Sequence, residues 1–212
     1  MAQRTRDYLS DPSAIYRASF EHIRREVDLD RLPADLRPLA LRLVHASGLV
    51  DLPDDLAWSE GAVAAGRKAL AAGAPILVDC TMVAAGIARD RLPAENPIVC
   101  TLNDPSVRVL ADELGTTRSA AAVQLWPQHL RGAVVAIGNA PTALFRLLEL
   151  LEDGAPRPAL VLGFAVGFVG AAEAKAALIR HRPPVPHIAL CGRRGGSAMA
   201  AAAINALARE AQ

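Results

Sequence analysis

His45 stands in the last turn of a helical segment, Arg42-Leu43-Val44-His45-Ala46-Ser47-Gly48. An imidazole there can serve as a general acid near neutral pH. Helix-end carbonyl groups favour a cation at that position, whereas Arg42, three residues back on the same side, opposes it. A plainer reading also fits, in which the imidazole only satisfies the helix end. Arg118 sits in Gly115-Thr116-Thr117-Arg118-Ser119-Ala120-Ala121, at a helix start. Backbone donors and a guanidinium together suit a carboxylate or phosphate, and an ordinary surface arginine is the alternative. Arg193 and Arg194 lie inside a glycine turn, where arginines held over a concave edge suit anionic groups.

Three segments of the C-terminal third share one pattern: an apolar run, a glycine-rich turn, then a helix start rich in small residues. They are Val134–Thr142, Leu160–Gly170 and Ile188–Ser197. A strand that empties into a glycine turn brings bare N–H groups close to whatever lies above the sheet. Three such turns side by side would floor one large pocket at the carboxyl edge of a parallel sheet, with Gly167 and Gly195 in its floor. Close helix–strand packing explains glycines there equally well. Neither GxGxxG nor GxxxxGK[ST] is present, which speaks against nucleotide phosphates. His22 has no setting comparable to that of His45. His129 and His181 read as solvated, His187 as structural. Glu173 and Lys175 read as ligand contacts or as an exposed charge pair in a capped first turn. Asp79 reads as a strand-end residue and Asp104 as a helix N-cap.

These groups need a scaffold, and the rest of the chain supplies one. Asp11-Pro12 is a helix start for Ser13–Glu26, which carries Ile15, Ser19, His22 and Ile23 near one face. A second helix opens at Leu32-Pro33-Ala34-Asp35 and ends at Ser47, with Gly48 just past it. A third runs from about Glu60 to Ala72. Apolar runs then alternate with helices: 75–80, 97–102, 133–137, 159–162 and 187–191. Five short strands joined by helices imply a mostly parallel sheet covered on both faces.

Composition narrows the function classes. At 212 residues the chain is expected to form a single domain, 1–212, with a substantial core. The net charge is +1, from 23 basic and 22 acidic residues, so no global field attracts polyanions. Aromatic residues are 4%, too few for a base-stacking nucleic-acid module. Cys80, Cys100 and Cys191, an odd count at strand positions, read as reduced thiols in a cytoplasmic protein. No apolar stretch is long enough for a membrane span, Met1–Tyr8 lacks an apolar signal core, and no ligand spacing for a structural metal appears.

The motifs together resemble the precorrin-8X methylmutase family of corrin biosynthesis. The likeness rests on Gly138-Asn139-Ala140-Pro141-Thr142-Ala143-Leu144-Phe145, Gly167-Phe168-Val169-Gly170-Ala171-Ala172-Glu173 and Gly192-Arg193-Arg194-Gly195-Gly196-Ser197-Ala198-Met199. It extends to Asp11–Phe20, the His45 segment, Ala74–Leu77, Val99–Leu102 and Thr117–Ala121, and so spans nearly the whole chain. The resemblance implies a flavodoxin-like three-layer α/β/α sandwich, a homodimer and an isomerase. It implies a methyl shift from C11 to C12 of a tetrapyrrole, giving hydrogenobyrinate, and hand-over of that product to the next enzyme of the pathway. It puts the catalytic histidine at His45, substrate contacts at Ser19 and Arg42, and a carboxylate-binding arginine at Arg118. Arg193, Arg194, Gly167 and Gly195 join the expected substrate site. The reaction is intramolecular, so no cofactor is expected. Departures from the family pattern are Ala165 for proline, Ala174 for serine, Ser47 for cysteine, and Cys80-Thr81 after the first strand. The cobalt-containing substrate of the same pathway is one alternative, and a non-catalytic corrin carrier another.

Overall fold

The computed structural model of the chain describes residues 8–209. Of the segment expected to lack a signal core, Met1–Tyr8, all but Tyr8 lies outside them. Helix α1 (Pro12–Glu26) opens where Asp11 accepts the Ala14 N–H at 2.7 Å, with Pro12 at the first helical position. Helix α2 (Arg37–Ser47) closes at Gly48, whose φ of 70° places it in the left-handed region. It starts later than expected, because residues 33–36 form a turn. A short 3₁₀ turn, Leu52–Asp55, leads into β1 (Leu56–Trp58). Helix α3 (Ala62–Ala71) follows, then β2 (Ile76–Val78), α4 (Thr81–Gly86), β3 (Ile98–Val99) and α5 (Val107–Glu113). The single helix expected from Thr116 or Thr117 to His129 is two, α6 (Arg118–Val123), capped by Thr117, and α7 (Pro127–Leu130). The remainder is β4 (Val134–Ile137), α8 (Pro141–Glu152), β5 (Leu160–Gly163), α9 (Ala171–Arg180), β6 (His187–Leu190) and α10 (Ser197–Leu207).

The sheet has six strands in the order β1-β6-β5-β4-β2-β3, one more than expected. Strands β2 to β6 are parallel, as alternation with helices requires. The added strand, β1, lies antiparallel on the edge, with Leu56 opposite Leu190 and Trp58 opposite Ile188. Three residues are too few to show a strand period, so β1 was hidden within a stretch that reads as helical.

Side-chain alternation builds two cores. Val134, Ala136, Leu160, Leu162, Ile188 and Leu190 face α2, α3, α4 and α10. Val135, Ile137, Val161 and Ala189 face α8, α9 and Trp126. Helix α10 lies on the first face and carries α2, with α1 packed against α2. The three cysteines are free. Among the described residues, no helix is long and apolar enough to cross a membrane.

Candidate active site

His45 projects from the last turn of α2 toward α1. Its Nδ1 lies 2.8 Å from Ser19 Oγ. The imidazole is half-buried between two aromatic rings of α1: Tyr16 and Phe20, each with its centroid 5.1 Å away. The antiparallel run of α1 against α2 makes this triplet possible. Ser19 and Phe20 follow Tyr16 by three and four residues and so share with it the face turned to α2. The serine fixes the ring through one nitrogen, and Nε2 has no partner among the described residues. His45, Ser19, Gly48 and Val50 line an open pocket of about 200 Å³. Arg42, one turn earlier on α2, has its guanidinium carbon 5.5 Å from the centroid of the Phe20 ring. Burial pulls the Arg42 pKa down, the positive charges of Arg209 and Arg91 add to this, and Tyr16 opposes it.

The glycine turns stand beside this pocket, tied to each other through their backbones. Val166 N–H donates to Asn139 O at 3.3 Å, Gly167 N–H to Arg193 O at 3.1 Å, and Gly196 N–H to Phe164 O at 2.8 Å. Gly167 has φ 138° and open space where a Cβ would sit, so its backbone conformation is what requires glycine. Gly195 packs against the carbonyls of Phe164 and Ala165 so tightly that no Cβ fits. Both glycines, with Leu49, Phe168, Arg193 and Met199, line a second cavity of about 280 Å³. The Gly48–Val50 turn contributes to both cavities and places them side by side.

The first glycine turn does not offer free donors. Asp79, buried at the end of β2, accepts the N–H groups of Gly138, Asn139 and Ala140 at 2.8, 2.9 and 2.7 Å. Burial raises the Asp79 pKa, and the three N–H groups oppose that rise. Asp79 is thus a strand-end residue, as expected, with a second task that the sequence did not show.

Arg194 is already engaged. It donates to Asp51 at 2.8 Å and to Asp55 at close range, the residue just before the 3₁₀ turn after α2 and the last residue of that turn. These carboxylates hold its pKa above the ordinary value. Arg193 is exposed and lies over the Phe168 ring, 5.2 Å from the centroid. Lys175 corrects an expectation of exposure: it is fully buried, and its Nζ donates to Arg194 O at 2.6 Å. Burial pulls its pKa down to about 8, against the opposing influence of Cys191 and Asp55. His181, read as solvated, is likewise buried, with Nδ1 3.6 Å from Glu152 Oε1. His187 is buried as expected, its Nδ1 2.9 Å from Val185 O.

Arg118 stands apart. It is exposed, donates to Leu102 O and Asn103 Oδ1 at 3.2 and 3.3 Å, and lines a separate cavity with Asp104 and Arg108. It shares no described contact with Ser19, Arg42 or His45. Among the described residues, no three His, Cys, Asp or Glu side chains group to hold a metal ion.

The family model of precorrin-8X methylmutase matches residues 14–210. The chain belongs to the precorrin-8X methylmutase family. It is 62% identical to a precorrin-8X methylmutase of Pseudomonas aeruginosa over 204 residues, covering 96% of this chain and 98% of the relative. A Sinorhizobium precorrin-8X methylmutase is 56% identical, covering 96% and 97%. A cobalt-precorrin-8 methylmutase of Priestia megaterium is 35% identical, covering 92% and 87%. The solved precorrin-8X methylmutase of Thermus thermophilus superposes with a TM-score of 0.84 at 42% identity, over 92% of this chain and 94% of that one. The protein is therefore an isomerase of this family, built on the fold its relatives share.

Proposed function

We propose that the protein converts precorrin-8X to hydrogenobyrinate, moving a methyl group from C11 to C12 with His45 as general acid. The hydrogen bond between His45 Nδ1 and Ser19 Oγ carries this reading. In the acid form both ring nitrogens hold protons. Nδ1–H donates to Ser19 Oγ, and Nε2–H, with no protein partner, is the proton available to substrate. Protonating the conjugated macrocycle lowers the barrier to a 1,5-methyl shift. Loss of a proton from the rearranged ring then restores a neutral chromophore, so no external methyl donor enters.

The surroundings suit a broad apolar ring fringed with carboxylates. Tyr16, Val50, Val166 and Phe168 are exposed about the two adjoining cavities, and Arg42 and Arg193 supply guanidinium groups for the fringe. The 62% and 56% relatives favour the metal-free substrate over the cobalt-containing one. The exposed apolar rim also supports a homodimer, in which Arg118 would serve as a carboxylate contact beyond the His45 pocket. Hand-over of product to a following enzyme belongs to the same reading.

The test is visible absorbance of the purified protein mixed with precorrin-8X, beside the His45→Ala variant. The hydrogenobyrinate spectrum is expected to grow with wild type. The variant is expected to lose about 10²–10⁴-fold in rate and to keep its product affinity. Equal rates would remove His45 from the mechanism. Binding by wild type with no conversion would point to a carrier, or to the cobalt substrate, which would be tried next.

A further inference from the structure

A cavity of about 550 Å³ lies on the far side of Phe20 from His45, walled by the second half of α1, the first half of α2, α3 and the end of α10. Its lining carries five guanidinium groups, Arg24, Arg37, Arg42, Arg67 and Arg209, against two carboxylates, Asp28 and Asp30. Arg37 is bound by Asp30 at 2.7 Å. The other four arginines have no carboxylate of a described residue within ion-pair distance. Arg24 and Arg42 both approach the Phe20 ring, at 6.0 and 5.5 Å from its centroid. The Nε of Arg67 is buried with no hydrogen-bond partner. Phe20, Leu41 and Ala206 supply an apolar surface among these charges.

Such an arrangement costs stability. Like charges repel at short range, and an unpaired buried donor forfeits a hydrogen bond. The lowered pKa of Arg42, set first by burial and then by Arg209 and Arg91, reports the same crowding. An anion with several oxygens relieves all of it, and guanidinium forks match carboxylates in geometry.

We infer that this cavity is a carboxylate-binding site built on Arg24, Arg42, Arg67 and Arg209. Two sources supply that chemistry. One is a peripheral carboxylate arm of the tetrapyrrole held at His45, a source that rests on the function proposed above. The other is a free organic polycarboxylate, which does not.

Arg67→Met and Arg209→Met test it, with circular dichroism and melting curves to verify folding. Arg209 lies just past α10, outside the regular elements, so its variant remains informative if the one at Arg67 fails to fold. Citrate is titrated calorimetrically at low ionic strength, and hydrogenobyrinate is titrated by visible absorbance. At least one of these ligands is expected to bind wild type and to bind each folded variant about tenfold or more weakly. Citrate that hydrogenobyrinate displaces assigns the site to the substrate arm, as does a loss confined to hydrogenobyrinate. Citrate bound together with hydrogenobyrinate assigns it to a free anion. Affinities for both ligands unchanged in the folded variants, or binding of neither ligand by wild type, overturn the assignment. Turnover enters none of these readouts, so failure here is separable from failure of the mutase reading.

Discussion

Ser19 holds one nitrogen of His45 and leaves the other to substrate, so its contribution is orientation. Ser19→Ala removes one hydrogen bond without taking away the acid. A net bond of this kind stabilises by about 0.5–1.5 kcal/mol, so turnover is expected to fall about two- to thirteenfold with product affinity unchanged. Single-turnover rates and product titration measure the two separately, and a change confined to affinity would make Ser19 a binding group only. His45 and Arg42 were legible because spacing on one helix places them on one side. Ser19 was not, except through resemblance. Its contact crosses 26 positions between two helices, and no local pattern encodes which helix faces meet. Asp79 was half legible. A polar residue after an apolar run marks a strand end, but its partners lie about 60 residues on, in the first glycine turn. Asp79→Ala would leave the N–H groups of Gly138, Asn139 and Ala140 without this acceptor, the first of them buried. The expected loss is about 1–3 kcal/mol of unfolding free energy in a denaturant titration.

The loop from Gly192 to Gly196 is pinned from two sides: Lys175 holds the Arg194 carbonyl from below, and Asp51 and Asp55 hold the Arg194 guanidinium. These bonds join the glycine floor to the turn that follows the His45 helix. Lys175 has a folded pKa of about 8, below the ordinary 10.5. Between these values the unfolded chain binds more protons than the folded one, so stability rises with pH across that window. Below about pH 8 the buried cation opposes folding in full. Melts of wild type and Lys175→Met across pH 7–11 isolate the effect. The wild type is expected to gain on the variant by up to about 1.4 kcal/mol per pH unit between pH 8 and 10.5. Parallel curves would show that Lys175 keeps an ordinary pKa. A buried lysine is illegible in a sequence, since Ala171–Arg180 has the same composition whether that side chain faces solvent or the loop. The strand–turn–helix alternation was legible because period and glycine position are local properties. The edge strand was not, because its identity depends on β6.

At the scale of the molecule, the described surface leaves Phe168 and Val169 at 88% and 89% exposure beside the candidate site. In the proposed homodimer such residues are covered by the second copy. Phe168→Glu is expected to shift the particle from dimer to monomer in light scattering at micromolar concentration. A wild-type monomer under the same conditions would end the dimer reading. The pairing of β1 with β6 bears on how the protein is made. Leu56 meets Leu190, and α2 rests on α10, so the helix bearing His45 docks onto a helix far downstream of it in the chain. Contacts this distant in sequence form late, both in folding from the denatured chain and during synthesis. A ribosome stalled anywhere before β6 therefore displays the candidate acid and the α1–α2 pocket around it without the glycine-lined cavity alongside, and the two stand together only once α10 has docked against α2.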